Sequence, residues 1–500
     1  MQNLTSLLHF HARVRPDGEA LIYEGNRITW RELATRVEEV AGGLRALGIG
    51  PDSIVALVMK NSSAFIELFY AVSHLGAVLL PINFRLSAPE LDYIATHAGV
   101  DLIVGDAEFQ DNLAELGQEV ILLDKAAQLD CTKVFGGQEP VRHPHPRKSG
   151  DLMRLMYTSG TTDRPKGVTH SYENFHYKNM DMIIALQLSA QDRLCMVGPL
   201  YHVGACDLPG MAVHTVGGTL VVLRDYDARR VVDTIAAERI TGIWMAPVMS
   251  SGVLSLDRST LPDLSSLKWC IAGGERTPEN RIRDFATVFP SGRYIDAYGM
   301  TETVSGDTLM EPGREIEKIG SVGRAVAMVE LEIRDENGGS VPAGETGEIC
   351  MRGSKVTQGY WKDPARTADA MHADGFLRSG DVGYLDEDGF LYLTDRKKDM
   401  IISGGENIAS SEIERVIFMM PEIADAAVIA KPDDRWGEVP LAVVILKPGA
   451  ILDQDELISF CSKHLARFKC PKEVRIVDTL PRNPSGKILK RVLRSEILQE

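Results

Sequence analysis

The sequence contains no run of the ~20 apolar residues that a membrane-spanning helix needs, and its opening stretch, MQNLTSLLHFHARVRP, lacks the continuous apolar core of a secretory signal. A membrane span is thereby excluded, and a cytoplasmic location is expected. Basic charge is in short supply: 54 Lys and Arg stand against 70 Asp and Glu, a formal net charge of -16. That balance excludes a general nucleic-acid binder. It leaves room for a local phosphate pocket, because a few nearby cations and N–H groups outweigh distant, screened charge. Cysteine is scarce and scattered, with seven residues at 131, 195, 206, 270, 350, 461 and 470 and no C-x-x-C pair. These read as reduced, buried thiols, not as a disulfide framework or a metal knuckle. Repeats and low-complexity tracts are absent too, so neither a solenoid nor large-scale disorder is expected.

What is present is 500 residues, 44% of them hydrophobic and 25% charged, enough to build more than one core. Apolar runs such as SIVALVM (53 to 59), GAVLLPI (76 to 82), DLIVG (101 to 105), GTLVVL (218 to 223) and GIWMAP (242 to 247) alternate with candidate helices such as Trp30 to Leu47. The pattern predicts an α/β fold of buried, mainly parallel sheets covered by helices. A domain boundary is expected near DRKKD (395 to 399), giving a large N-terminal domain over 1–397 and a small α+β domain over 398–500. Within the latter, Ser411 three residues before Glu414 predicts a capping box. Leu457, Cys461, Leu465 and Phe468 fall on one helix face, and PLAVVIL (440 to 446) reads as a strand.

The strongest local signal is YTSGTTDRPKG (157 to 167), a hydroxyl- and glycine-rich turn after a strand, closed by Lys166. Successive N–H groups, the hydroxyls of Thr158, Ser159, Thr161 and Thr162, the open backbone at Gly160 and the Lys166 charge suit a polyphosphate. The spacing is not that of a Walker A loop, and by itself such a run is also a plain turn. Further along, Asp296-Ala297-Tyr298-Gly299-Met300-Thr301-Glu302 offers an aromatic face for a purine, a hydroxyl, and a carboxylate for Mg²⁺. Ser379-Gly-Asp381 offers a carboxylate suited to ribose hydroxyls. YLTDRKKDMIISGGEN (392 to 407) lies at the domain junction, and PSGK (484 to 487) near the C-terminus.

These five segments, in this order, resemble the acyl-adenylate-forming superfamily of acyl-CoA synthetases, luciferases and peptide-synthetase adenylation domains. The resemblance covers nearly the whole chain, and PLYHVGA (199 to 205), QGYWKDP (358 to 364) and PRNPSGKILK (481 to 490) are most similar to bacterial acyl-CoA synthetases. It implies an acid:CoA ligase, selective for a fatty, cyclic or aryl acid, that uses ATP and Mg²⁺ to make acyl-AMP and then passes the acyl group to CoA. Lys487 would bridge the carboxylate and α-phosphate, Thr301 would contact that phosphate, and Glu302 would bind the metal. Asp381 and Arg396 would hold the ribose, Tyr298 and Asp296 would face the adenine, and Gly274 and Glu275 would lie along the nucleotide.

His202, Val203, Gly204, Asp207 and Gly299 would form the acid pocket. Lys398 would be the hinge of a mobile C-terminal domain that brings Gly404, Gly405 and Asn407 to the pantetheine tunnel. Arg85, Trp436, Phe468 and Lys472 would touch CoA. Two residues depart from the family pattern: Asp163, where the loop usually has Gly, and Glu275, where a small residue is usual. No basic residue in PLYHVGACDLPG suggests a second carboxylate on the acid. Transfer to an amine or a carrier-protein thiol is the alternative within the superfamily, and a non-catalytic nucleotide sensor is the alternative outside it. A homodimer is left open.

Overall fold

The computed structural model describes residues 3–158, 165–273, 277, 279–396, 399–403, 406–433, 436–467, 469–482 and 488–497, and the side chains at 280, 395, 396, 406 and 407 lie outside the description. All counts below refer to the described residues. By its contacts the chain divides into two units, one of residues 1–330 and 351–377 and one of 331–350 and 378–500. The contact division thus assigns part of the chain before 398 to the second unit.

The first unit holds two sheets. One has six strands in the order Val120–Leu123, Leu102–Asp106, Ile54–Val58, Val78–Pro81, Leu152–Thr158, Lys166–Ser171. Its members are parallel except for the last pair, an antiparallel hairpin. The other has nine strands, with Gly242–Trp244, Trp269–Gly273 and Arg293–Tyr298 running parallel side by side near one end. The apolar runs read from the sequence are these strands, trimmed at their ends. Every residue of Ile54–Val58 is buried, as expected for a strand covered on both faces.

The helix Ser63–His74 is buried at all twelve positions and packs against Val78–Pro81 of one sheet and Glu19–Tyr23 of the other, which explains its apolar character all round. Trp30–Ala46 is the helix expected at Trp30 to Leu47, and in the structure Thr29 and Glu32 form a reciprocal capping box at its start.

The second unit contains a four-stranded sheet, Glu330–Arg334, Gly347–Arg352, Leu377–Leu385, Leu391–Arg396, and a second sheet centred on the long antiparallel pair Ile423–Asp433 and Gly437–Leu446. The strand expected at 440–446 is the latter. Its core gathers Ile401, Ile413, Val416, Val428, Val444, Leu457 and Cys461. Leu457 and Cys461 do share the buried face of the helix Gln454–His464. Phe468 lies outside the described residues.

The capping box expected at Ser411 and Glu414 does not form. The helix begins at Ser410, the Ser411 hydroxyl donates to the Thr394 carbonyl, and Glu414 accepts from Val428 N at 2.7 Å. Tertiary partners have taken the groups that a local cap would use.

Candidate active site

The hairpin Leu152–Thr158 and Lys166–Ser171 holds the two ends of the hydroxyl-rich loop, with Thr158 directly opposite Lys166. Ser159, Gly160, Thr161, Thr162 and Asp163 lie outside the described residues. Among the described residues, Thr158 Oγ1 is buried without a hydrogen-bond partner. A buried hydroxyl of this kind costs stability unless something bonds it, so the loop mouth suits an oxygen-rich ligand.

Lys166 Nζ lies 2.6 Å from Glu302 Oε1 and 2.6 Å from the Tyr360 hydroxyl, which in turn donates to the same carboxylate oxygen at 2.9 Å. The ammonium also sits over the Tyr360 ring, 4.1 Å from its centroid. Two groups assigned from the sequence to phosphate and metal are therefore neighbours across 136 residues of chain. Tyr360, from QGYWKDP, was not singled out as a site residue. Its hydroxyl is held well above the usual phenol range by burial and by Glu302, so it stays a donor.

Thr301–Thr303 form a single 3-10 turn after the strand Arg293–Tyr298. The turn is pinned from outside: Thr357 N donates to the Glu302 carbonyl at 2.7 Å, and His170 Nε2 meets the Thr301 carbonyl at 2.6 Å. Arg154 Nε and Nη2 both donate to His170 Nδ1, at 3.2 and 3.0 Å. That fixes the ring as the neutral tautomer with its proton on Nε2, donating to Thr301. Burial, reinforced by the Arg154 charge, lowers the His170 pKa to about 3.

The other face of Arg154 is bidentate to Asp207, with Nη1 to Oδ1 at 3.0 Å and Nη2 to Oδ2 at 2.6 Å. Both residues are fully buried. Asp207 was expected to line the acid pocket. Its carboxylate oxygens are instead bound by Arg154, so it does not present a free charge there. Neither Arg154 nor His170 was legible as a site residue, because nothing in the runs LMRLMYT and KGVTHS shows that the two side chains meet.

His202 caps the short helix Val203–Cys206, and Gly204 N donates to its Nδ1 at 3.1 Å, so the ring proton again sits on Nε2. Burial lowers its pKa, with Asp207 opposing. Gly204 and Gly299 have steric reasons to be glycine. A Cβ on Gly204 would lie 2.8 Å from the Trp244 ring, and one on Gly299 would lie 2.4 Å from Gly306 N. Ala297 and Tyr298 are buried at the strand end, Met300 is partly exposed, and Asp296 Oδ1 accepts from Thr277 at 2.5 Å. Gly274 and Glu275 lie outside the described residues.

In the second unit, strand register sets Asp381 directly opposite Arg396. Lys472 Nζ reaches the Arg467 carbonyl at 3.4 Å, and Trp436 is 46% exposed. In the first unit, the Arg85 guanidinium lies over the Phe84 ring, 5.3 Å from its centroid. Lys398, Gly404, Gly405, Phe468 and Lys487, and the side chains of Arg396 and Asn407, fall outside the described residues. Among the described residues no cluster of three His, Cys, Asp or Glu is arranged to hold a metal.

Comparison with known proteins identifies the family. The AMP-binding enzyme family matches residues 8–361, and its C-terminal domain matches residues 412–487. A feruloyl-CoA synthase of an Amycolatopsis species is 36% identical over 97% of this chain and 96% of its own length. A long-chain-fatty-acid–CoA ligase of Mycobacterium tuberculosis is 33% identical over 99% of both chains. Among solved structures, ATP-bound MatB from Rhodopseudomonas palustris superposes with a TM-score of 0.91 at 29% identity over 99% of both chains. The chain belongs to the AMP-binding enzyme family.

Proposed function

We propose that the phosphate loop, Lys166 and the Thr301–Glu302 turn form the ATP side of an adenylation site. The protein is an AMP-forming acid:CoA ligase: it joins a carboxylic acid to ATP as acyl-AMP, releases pyrophosphate, and transfers the acyl group to CoA with release of AMP. The observation that carries the site assignment is the convergence of Lys166, Glu302 and the pinned Thr301 turn beside the buried hydroxyl of Thr158, unpartnered among the described residues.

Attack of a carboxylate on the α-phosphorus joins two anions, so the site must neutralise charge and align the reactants. Thr158, Ser159, Gly160, Thr161, Thr162 and Lys166 take the β- and γ-phosphates. Thr301 donates to the α-phosphate, and Lys487 bridges it to the acid. Glu302 holds Mg²⁺, which neutralises phosphate charge when bound. Tyr298, Asp296, Ala297, Gly274 and Glu275 line the adenine, and Asp381 and Arg396 take the ribose. His202 donates through Nε2–H to the acid's carboxylate, between Val203, Gly204 and Gly299, with Asp207 behind. Rotation about Lys398, separating 1–397 from 398–500, then brings Gly404, Gly405 and Asn407 to the thiol, while Arg85, Trp436, Phe468 and Lys472 hold CoA.

Acid-dependent exchange of labelled pyrophosphate into ATP tests the first step, and free CoA as acceptor tests the second. Exchange undiminished in Lys487→Ala would remove that lysine from the chemistry. Exchange without thioester would favour an amine or carrier-protein acceptor. The acid is an aryl or fatty acid in this reading, in keeping with the acids named for the two relatives. A cytoplasmic location is supported by seven buried free thiols. Sedimentation distinguishes a homodimer from a monomer.

A further inference from the structure

Behind the Thr301 turn lies a set of buried charges with one member left over. Arg154 is matched by Asp207. Lys355 Nζ donates to the carbonyls of Ser305 at 3.0 Å and Gly306 at 2.7 Å, and pairs with Asp307 at 3.2 Å and Asp181 at 3.7 Å. The third cation is Lys178, on the helix Tyr172–Leu186 and wholly inaccessible to solvent. Among the described residues its ammonium makes one hydrogen bond, to Asn179 Oδ1 at the limiting distance of 3.5 Å, and no ion pair. A buried ammonium with three donors and one weak acceptor is costly.

Its surroundings say what the cost serves. Asn174, Phe175, Lys178, Asp181 and Met182 form the buried face of the helix. Arg154 lies over the Phe175 ring, 5.5 Å from its centroid, and one turn beyond Lys178 the side chains of Met182 and Leu208 close on Gly306. Gly306 N in turn stands where a side chain on Gly299 would be. The charges that act on Lys178 come from several elements: Asp207 of the segment that begins at His202, Arg154 of the hairpin, and Lys355. Asp181 lies one turn along its own helix, and His170 lies behind Arg154. Lys178 is thus embedded where the segment 202–208 and the loop 299–306 come together, the two segments to which the acid pocket is assigned.

We infer that Lys178 is a specificity-determining residue, and that the preferred substrates are acids bearing an oxygen, as a hydroxyl or a second carboxylate, at the end remote from the activated carboxyl group. The inference rests on the ligase reading and on the placement of the acid at His202 and Gly299. The basic group comes from the helix Tyr172–Leu186, outside PLYHVGACDLPG, which is why that run gives no sign of it. No covalent step is involved: the ammonium donates to the distal oxygen, and the acid completes a donor set that the fold leaves open.

The test compares wild type with Lys178→Met on matched acids of one skeleton whose distal substituent is hydrogen, hydroxyl or carboxylate, read as kcat/KM for AMP release with CoA. Wild type should favour an oxygenated member over the hydrogen member by about 100-fold or more. Lys178→Met should bring the two within about 10-fold while KM for ATP stays within about 2-fold, and Lys178→Arg should retain most of the preference. Hydroxyl and carboxylate members ranked separately identify which oxygen is read.

With wild type alone, the preference for the carboxylate member should weaken as pH rises through about 7, because burial lowers the Lys178 pKa to about 7 and the charge is then lost. A wild type that favours the hydrogen member, or a preference undiminished in Lys178→Met, overturns the inference with the ligase reading intact. Absence of thioester from every acid removes the ligase reading first and this inference with it.

Discussion

Replacing Arg154 by Met tests the buried network that ties the phosphate-loop hairpin to the Thr301 turn. Arg154 and Asp207 are fully buried and paired through two hydrogen bonds, so the single substitution leaves a carboxylate in an apolar interior without its counterion. Breaking such a pair from one side costs about 3–5 kcal/mol. Removing both charges, as Arg154→Met with Asp207→Leu, avoids that penalty. It leaves His170 Nδ1 without donors, at about 1–3 kcal/mol, and takes from Lys178 the nearby charge of Asp207. The double variant should therefore be more stable than the single one, the opposite of what independent damage would give.

Urea unfolding followed by tryptophan fluorescence reads this from midpoints, with the transition of the first unit taken by itself because two units need not unfold together. Both variants also lose the donors that fix the His170 tautomer, so the hold on the Thr301 carbonyl loosens and kcat should fall more than KM for ATP rises. A single variant at least as stable as the double would refute the reasoning, since Asp207 would then carry no stranded charge.

Three further outcomes follow from the same geometry. Glu302→Gln should raise the Mg²⁺ concentration needed for half-maximal rate, while Tyr360→Phe, which removes one hydrogen bond and leaves the Lys166 pair, should cost less than about 10-fold in kcat; equal losses would contradict the assignment of the carboxylate. Gly299→Ala puts a methyl group 2.4 Å from Gly306 N, so adenylation should be lost in a variant that still folds by circular dichroism.

Stability should fall with acidity earlier than carboxylates alone would cause. His74 and His214, both buried, have their pKa lowered to about 4 by burial, below the unfolded value of 6.5. The unfolded chain then binds protons that the fold refuses. Their contribution is complete above pH 6.5 and is lost as pH falls through about 4, at roughly 1.4 kcal/mol per pH unit for each. A melting temperature that stays flat from pH 6.5 to 4.5 would count against this.

What the sequence discloses depends on the range of the interaction. Ile54–Val58 and the helix Trp30–Ala46 are local, set by side chains within a few residues, and they appear where the pattern predicts. The ordered motifs are legible for another reason: each carries backbone and side-chain chemistry in one short run. Pairings are not legible. Nothing near Asp207 announces Arg154, 53 residues away, and nothing near Lys178 marks it as buried and short of partners. Glu414 shows the same limit from the other side, since a convincing local cap lost its carboxylate to Val428.

The Lys166–Glu302 pair shows why two such charges can occupy a half-buried site without destabilising it. A carboxylate and an ammonium at 2.6 Å neutralise each other, and Tyr360 satisfies a further lone pair. For Lys166 to take a phosphate and Glu302 a cation, each must give up the other, which would be expensive if the steps were separate. If nucleotide and metal arrive together, neither side chain is left without a partner: Lys166 would turn from the carboxylate to a phosphate, and Glu302 would hold Mg²⁺ in place of the ammonium. On this account binding of ATP and of Mg²⁺ must be coupled, each tightening the other. The part of that coupling carried by the Lys166–Glu302 contact should be lost in the double variant Lys166→Met with Glu302→Gln, where no pair has to be broken, leaving what direct contact of the metal with the phosphates supplies.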